Sequence, residues 1–183
     1  MTMRTNRMKE KLKAGEPVFG MSVMIPSPQI VEMAGAAVKY HPAGRRGLGA
    51  GTRAAVYDSH GTLADHVKAA NEATLIAVQL EDEPAIHNID ELLKVDDIDV
   101  FFIGPSDLSQ SMGYPGNPKA PPVANAIESS FRKIVAVGRL PGTPATAENV
   151  RREVVDKGVR YIYTHLPRLL ASSAKTYLKN ARG

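Results

Sequence analysis

From Thr74 onward the chain repeats one pattern, a short and almost unbroken apolar run followed by a stretch of helical period. Thr74 to Leu80 (TLIAVQL), Val100 to Ile103 (VFFI), Arg139 to Pro144 and Tyr161 to His165 (YIYTH) have the length and composition of buried strands. Between and after them, Pro84 to Leu93, Pro121 to Val137, Thr146 to Lys157 closed by Gly158, and Arg168 to Lys179 have helical spacing. Parallel neighbours need a connection long enough to carry a helix, so this alternation predicts a parallel sheet with crossover helices. The strands lack a polar alternate face, as expected when both faces of the sheet are covered.

The first part of the chain supplies one more unit. Met3 to Ala14 has helical spacing, Val18 to Met24 (VFGMSVM) is a short buried strand, and Gln29 to Ala37 is a helix with Ser27 as N-cap and Pro28 in its first turn. Val38 to Gly51 (VKYHPAGRRGLGAG) is a basic loop rich in Gly and Pro, and Thr62 to Asn71 is an amphipathic helix. Five strands result. With no repeat and no linker, residues 1–183 are expected to form a single domain. A typical (β/α)8 barrel has about 250 residues, so a chain of 183 falls short of one.

Composition narrows the chemistry. The chain has no cysteine, which removes disulfides and thiolate metal sites and leaves oxygen or imidazole as metal donors. Its net charge of +4 is spread without a long basic run, and aromatic residues make up only 5% with no Trp. That pattern argues against a nucleic-acid partner. No stretch approaches the roughly 20 consecutive apolar residues of a membrane span, and the N-terminus is basic and polar without an apolar signal core, so a cytoplasmic location without a membrane partner is expected.

In a parallel α/β protein, functional groups gather beyond the carboxyl ends of the strands. Two junctions are rich in them. In the first, alternation puts Gln79 and Glu81 on one side of the strand. In the second, Ile103-Gly104-Pro105-Ser106-Asp107-Leu108-Ser109, a strand runs into a turn whose Gly lets a ligand approach the backbone. Glu81 and Asp107 at neighbouring strand ends suit a hard divalent cation completed by water and substrate oxygens. The alternative is that these acids only cap the helices that follow.

The stretch Gln79-Leu80-Glu81, followed after 26 positions by Asp107 within Gly104-Pro105-Ser106-Asp107-Leu108-Ser109 and then by Met112-Gly113, resembles the metal-binding core of the HpcH/HpaI aldolase/citrate lyase family. Tyr40-His41-Pro42 with Gly44 to Gly49 is similar to that family's basic loop, and Gly15 to Ala37 to its first strand and helix. The resemblance implies a divalent cation (Mg, Mn, Co or Zn) held by Glu81 and Asp107, with pyruvate bound to it through carboxylate and keto oxygens. It places Gln79 nearby as a catalytic residue and lets backbone amides of the turn, at Gly104, Pro105 and Ser106, hold the substrate carboxylate.

The family places about three further strand-helix units between the positions of Ala37 and Val38, among them a catalytic His and a carboxylate-gripping Arg. This chain joins Ala37 directly to Val38. Arg46 and His165 are the candidate stand-ins, His165 because it ends the last strand; His41, His60, His66 and His87 fall in loops or helices. The expected fold is therefore a truncated (β/α)8 barrel with about five of eight parallel strands. Kept in family order, these strands form an open run with the first strand and the 74–80 strand at its two edges. Open edges expose unpaired backbone groups and apolar interior, so an open or collapsed sheet, a strongly associated homo-oligomer or a marginal fold is expected.

The function expected is that of a class II, metal-dependent aldolase cleaving a 4-hydroxy-2-oxo acid to pyruvate and an aldehyde, with reduced activity. The rival is a catalytically inactive family remnant that acts as an assembly or regulatory partner. An acyl-CoA lyase role, as in the citrate lyase branch, finds no supporting cluster.

Overall fold

The computed structural model describes residues 20–23, 27–51, 61–146 and 149–182. The helix expected over Met3 to Ala14 lies outside them, as does His60. In chain order the elements are β1 (Gly20–Val23), α1 (Pro28–Val38), α2 (Leu63–Ala73), β2 (Leu75–Leu80), α3 (Glu83–His87), α4 (Ile89–Leu92), β3 (Val100–Ile103), α5 (Pro105–Ser111), α6 (Pro121–Ala136), β4 (Leu140–Pro144), α7 (Val150–Val155), β5 (Tyr161–Tyr163) and α8 (Leu166–Ala181). All five strands run parallel in one sheet of order β1-β2-β3-β4-β5.

That order corrects the expected one. β1 does not leave the 74–80 strand at an edge; it pairs with β2, Gly20 opposite Leu75 through Val23 opposite Val78, and the outer strands are β1 and β5. α1 runs unbroken through Ala37 and Val38. Pairing these strands satisfies backbone groups of β2 that an edge position would leave unpaired.

The two faces of the sheet carry different loads. Ile76, Val78 and Leu80 of β2 and Phe101 and Ile103 of β3 point toward the helices, where they pack with Val31, Ala85, Leu92, Leu108, Phe131 and Ile134. On the other face Leu75, Ala77, Val100 and Phe102 form a separate cluster joined by Leu140 and Tyr161. Two strands lying two steps apart on a flat sheet are separated by about 9.6 Å. Yet the rings of Phe102 on β3 and Tyr163 on β5 stack at 5.0 Å and 10°. The sheet therefore curls toward this face, and the aromatic rings fill its hollow. Gly142 of β4 lies between them; a Cβ there would fall 2.8 Å from Phe102 Cδ2.

Local chemistry explains the boundaries. Thr62 and Asp65 form a reciprocal capping box at the start of α2, and the two hydrogen bonds from Thr62 hold the Asp65 carboxyl below its ordinary pKa. Ser27 occupies the N-cap position of α1 but makes no cap bond, its hydroxyl going to Gln29 Oε1 at 2.9 Å. The helix expected over Pro84 to Leu93 is split at Asn88 into α3 and α4. α5 ends where Gly113, at φ 81°, lets the Tyr114 amide turn back to Ser109 O at 2.7 Å, a conformation costly for residues with a Cβ.

Phe101 is fully buried at the centre of the helix-side cluster. Phe101→Ala is expected to cost about 3–5 kcal/mol through lost transfer energy and the cavity left behind, read as a lower midpoint in urea unfolding.

Candidate metal centre

The register of β2 and β3 builds the site. Gln79 lies opposite Phe102 and Leu80 opposite Ile103, so the next residues, Glu81 and Gly104, meet just beyond the strand ends. The Gly104 amide donates to Leu80 O at 3.2 Å, which continues the ladder one step past the strands. Gln79 and Glu81 emerge on the same face, and the Gln79 amide nitrogen donates to Glu81 Oε2 at 2.5 Å.

Asp107 approaches from the first turn of α5 and is close enough to the Glu81 carboxyl to act on its charge. Burial raises the Glu81 pKa above its ordinary value; the hydrogen bond from Gln79 pulls it down, and the like charge of Asp107 pushes it up again. Two carboxylates held this close repel each other unless a proton or a cation lies between them.

Helix capping does not account for this pair. The residue that caps α3 is Asp82, whose Oδ1 accepts from the Ala85 amide at 2.8 Å. At α5 the N-cap is Gly104, with no side-chain cap bond. Glu81 and Asp107 are thus both left facing the junction.

Among the described residues no group of three or more His, Cys, Asp or Glu could hold a metal ion. At this junction the described residues offer two carboxylates, Glu81 and Asp107. This donor set fits a hard divalent cation that keeps several positions for water or substrate oxygens, and it does not fit a closed structural zinc site.

The turn at residues 104–107 is narrower as a binding element than the sequence implies. The Gly104 amide is spent on Leu80 O, and Pro105 has no amide hydrogen. The amides of Ser106 and Asp107, at the first turn of a helix where no intrahelical acceptor exists, are those that can meet a ligand.

Arg46 and His165 end up at opposite ends of the sheet. The loop carrying Arg46 is fastened beside the start of β2: Lys39 Nζ donates to Thr74 O at 3.0 Å, and the Tyr40 amide to Asn71 Oδ1 at 2.7 Å. Arg46 itself lies over the Tyr40 ring, 4.7 Å from its centroid. A six-residue strand spans about 20 Å, so the Arg46 guanidinium cannot reach Glu81 at the other end of β2. His66 is also part of this anchor, edge-on to Tyr40 at 5.7 Å.

His165 follows β5 at the same end of the sheet as Glu81 and Asp107. Its exposed ring stands edge-on to Tyr163 at 5.2 Å, and Tyr163 stacks on Phe102, two residues before Gly104. Sequence reasoning missed this aromatic chain. The signal was available in the period-two placement of Phe102, Tyr161 and Tyr163, but not the curl that brings the rings together.

The family model described as HpcH/HpaI aldolase/citrate lyase matches residues 7–162. The 2-keto-3-deoxy-L-rhamnonate aldolase of Escherichia coli (strain K12) is 34% identical over 170 residues, covering 91% of this chain and 62% of that protein. The chain thus spans under two thirds of the length of that relative. Among solved structures, an HpcH/HpaI aldolase/citrate lyase family protein from Burkholderia cenocepacia J2315 superposes with a TM-score of 0.80 at 24% identity, over 96% of this chain and 69% of that one. The HpcH/HpaI aldolase from Desulfitobacterium hafniense DCB-2 gives 0.73 at 24% identity, over 87% and 62%. The five-stranded parallel sheet is therefore a piece of a TIM-barrel-like fold.

The Glu81 shift has a measurable consequence. A carboxyl whose pKa is raised by folding contributes stability that is full below its ordinary pKa and is lost as pH climbs through the raised value. In EDTA, urea unfolding of the wild-type chain should show this decline, whereas Glu81→Gln should be flatter over the same range and more stable than wild type at neutral pH. An unchanged pH profile in the variant would refute the electrostatic account.

Proposed function

The chain belongs to the HpcH/HpaI aldolase/citrate lyase family, and from that premise we propose that it is a divalent-metal-dependent aldolase cleaving a 4-hydroxy-2-oxo acid to pyruvate and an aldehyde. The observation that carries this reading is the juxtaposition of Glu81 and Asp107, two carboxylates committed to no helix cap, at adjoining strand ends. A cation bound by them, Mg or Mn by donor chemistry and Co or Zn by family resemblance, would supply Lewis-acid polarisation of the substrate's 2-oxo group.

The chain's own residues have separable roles in this proposal. Gln79 holds the Glu81 carboxylate through its amide and keeps it turned toward Asp107. The Ser106 and Asp107 amides take the substrate carboxylate. His165, held against Tyr163 at the same sheet end, carries the proton that leaves or returns to the pyruvate methyl carbon. Arg46, placed beside the start of β2, is left out of the chemistry and orders its own loop through Tyr40.

A second reading, a catalytically silent partner in an assembly of like chains, is supported by a different feature. Every described residue of α8 is exposed, including Leu166, Leu169, Leu170 and Tyr177, which share one side of the helix. No helix among the described residues is long and apolar enough to cross a membrane.

The two readings separate on one reaction. Exchange of pyruvate methyl protons with deuterated water, followed by NMR, isolates the proton-transfer half of aldol chemistry. The wild-type chain should exchange when Mg or Mn is added, and Asp107→Ala should abolish exchange. His165→Gln should slow it by about 10²- to 10⁴-fold, the usual contribution of a positioned proton carrier. A folded sample that exchanges no faster than buffer with any of the four metals would leave the silent partner as the surviving reading.

A further inference from the structure

Gly104 is buried, yet its backbone does not call for glycine: φ −96° and ψ 93° are open to any L-residue. The reason for glycine must lie in space. A Cβ at this position would fall 2.7 Å from Glu81 Oε2, 2.9 Å from Glu81 Cβ and 3.2 Å from Gln79 Nε2. Nonbonded carbon atoms prefer about 3.5–4.0 Å, so all three contacts are too close. One of the crowded atoms, Glu81 Cβ, is fixed to the end of β2 and cannot swing aside as the tip of a long side chain can.

We propose that Gly104 is a positioning residue for the metal centre, whose missing side chain is the space in which the Glu81 carboxylate stands. This rests on the metal reading above and adds a residue to it. Sheet register makes the two positions neighbours on one face, so any side chain at 104 competes with Glu81 for the same volume. A methyl group there would push the carboxylate off the Gln79 amide and away from Asp107. The ligands would remain in the sequence but lose their spacing.

The next strand supplies a matched control. A Cβ at Gly142 would be equally crowded, 2.8 Å from Phe102 Cδ2 and 3.0 Å from Val100 Cγ1, but against apolar packing and no carboxylate. Mn²⁺ binding would be followed by the free-ion signal in electron paramagnetic resonance on the full chain, its Gly104→Ala and Gly142→Ala variants. Gly104→Ala should weaken Mn²⁺ affinity by at least about tenfold, the scale seen when groups that orient ligands are altered, while Gly142→Ala binds as the wild type does. Equal affinity in Gly104→Ala and wild type overturns the proposal, as does an equal loss in both variants.

Urea unfolding of Gly104→Ala alone and in a Glu81→Gly background reads the same space without any metal. If Gly104 makes room for Glu81, the stability lost on adding the methyl group shrinks when Glu81 is cut back, and a Gly104→Ala chain that fails to fold is rescued by the double change. The same loss in both backgrounds, or no rescue, overturns the proposal. A wild-type chain that binds no Mn²⁺ would instead sink the metal reading, and the unfolding comparison would still decide the role of Gly104.

Discussion

The parallel pairing of β2 with β3 is the constraint from which the rest follows. Its register sets Leu80 against Ile103, and the Gly104 amide carries the ladder one residue further by donating to Leu80 O. The two chain segments are therefore still held side by side at the point where they stop being strands. Side chains that leave on one face there, Gln79 and Glu81, are close by construction, and α5 begins just in time to bring Asp107 to them. A slip of one residue would turn Glu81 into the helix-side core and abolish the site while leaving the composition unchanged.

The same sheet must also close its inner face with fewer strands than a full barrel has. It does so by curling, and the curl depends on a contrast in side-chain size. Phe102 and Tyr163 are large enough to meet over β4, and Gly142 is small enough to let them. Tyr161 adds an edge contact to Phe102 at 6.1 Å. Aromatic bulk thus occupies the hollow next to the candidate site, and His165 rests on its rim. The glycines at 104 and 142 are used in the same physical way, as missing volume at ordinary backbone angles, but one makes room for a carboxylate and the other for a ring.

At the opposite end of the sheet a second set of contacts has a purely anchoring character. Lys39 is buried and reaches the carbonyls at the end of α2, Asn71 clamps Tyr40 through both its backbone groups, and Arg46 covers the Tyr40 ring. A buried lysine needs such acceptors, because burying its charge without them is expensive. These contacts tie α1 and the loop after it to the end of α2 and the start of β2. Lys39 and Arg46 of this basic loop are therefore accounted for by architecture.

Much of this was legible in the residues alone. The alternation of apolar runs with helical periods specified a parallel α/β sheet, since that pattern has few other solutions, and Glu81 and Asp107 stood out because carboxylates at neighbouring strand ends are chemically conspicuous. Single-residue turn chemistry was partly legible too: Thr62 opens α2 as its type suggests, whereas Ser27 does not cap α1, because its hydroxyl has a nearer partner in Gln29. What the sequence could not decide was anything set by distance between segments far apart in the chain. Pairing β1 with β2, spending the Gly104 amide on Leu80, giving the cap of α3 to Asp82 and carrying Arg46 to the far end of β2 are all outcomes of packing. Local sequence encodes periodicity and residue chemistry, which act over a few residues; strand order, register and the reach of a side chain are fixed only when the whole chain competes for the same backbone partners and the same volume.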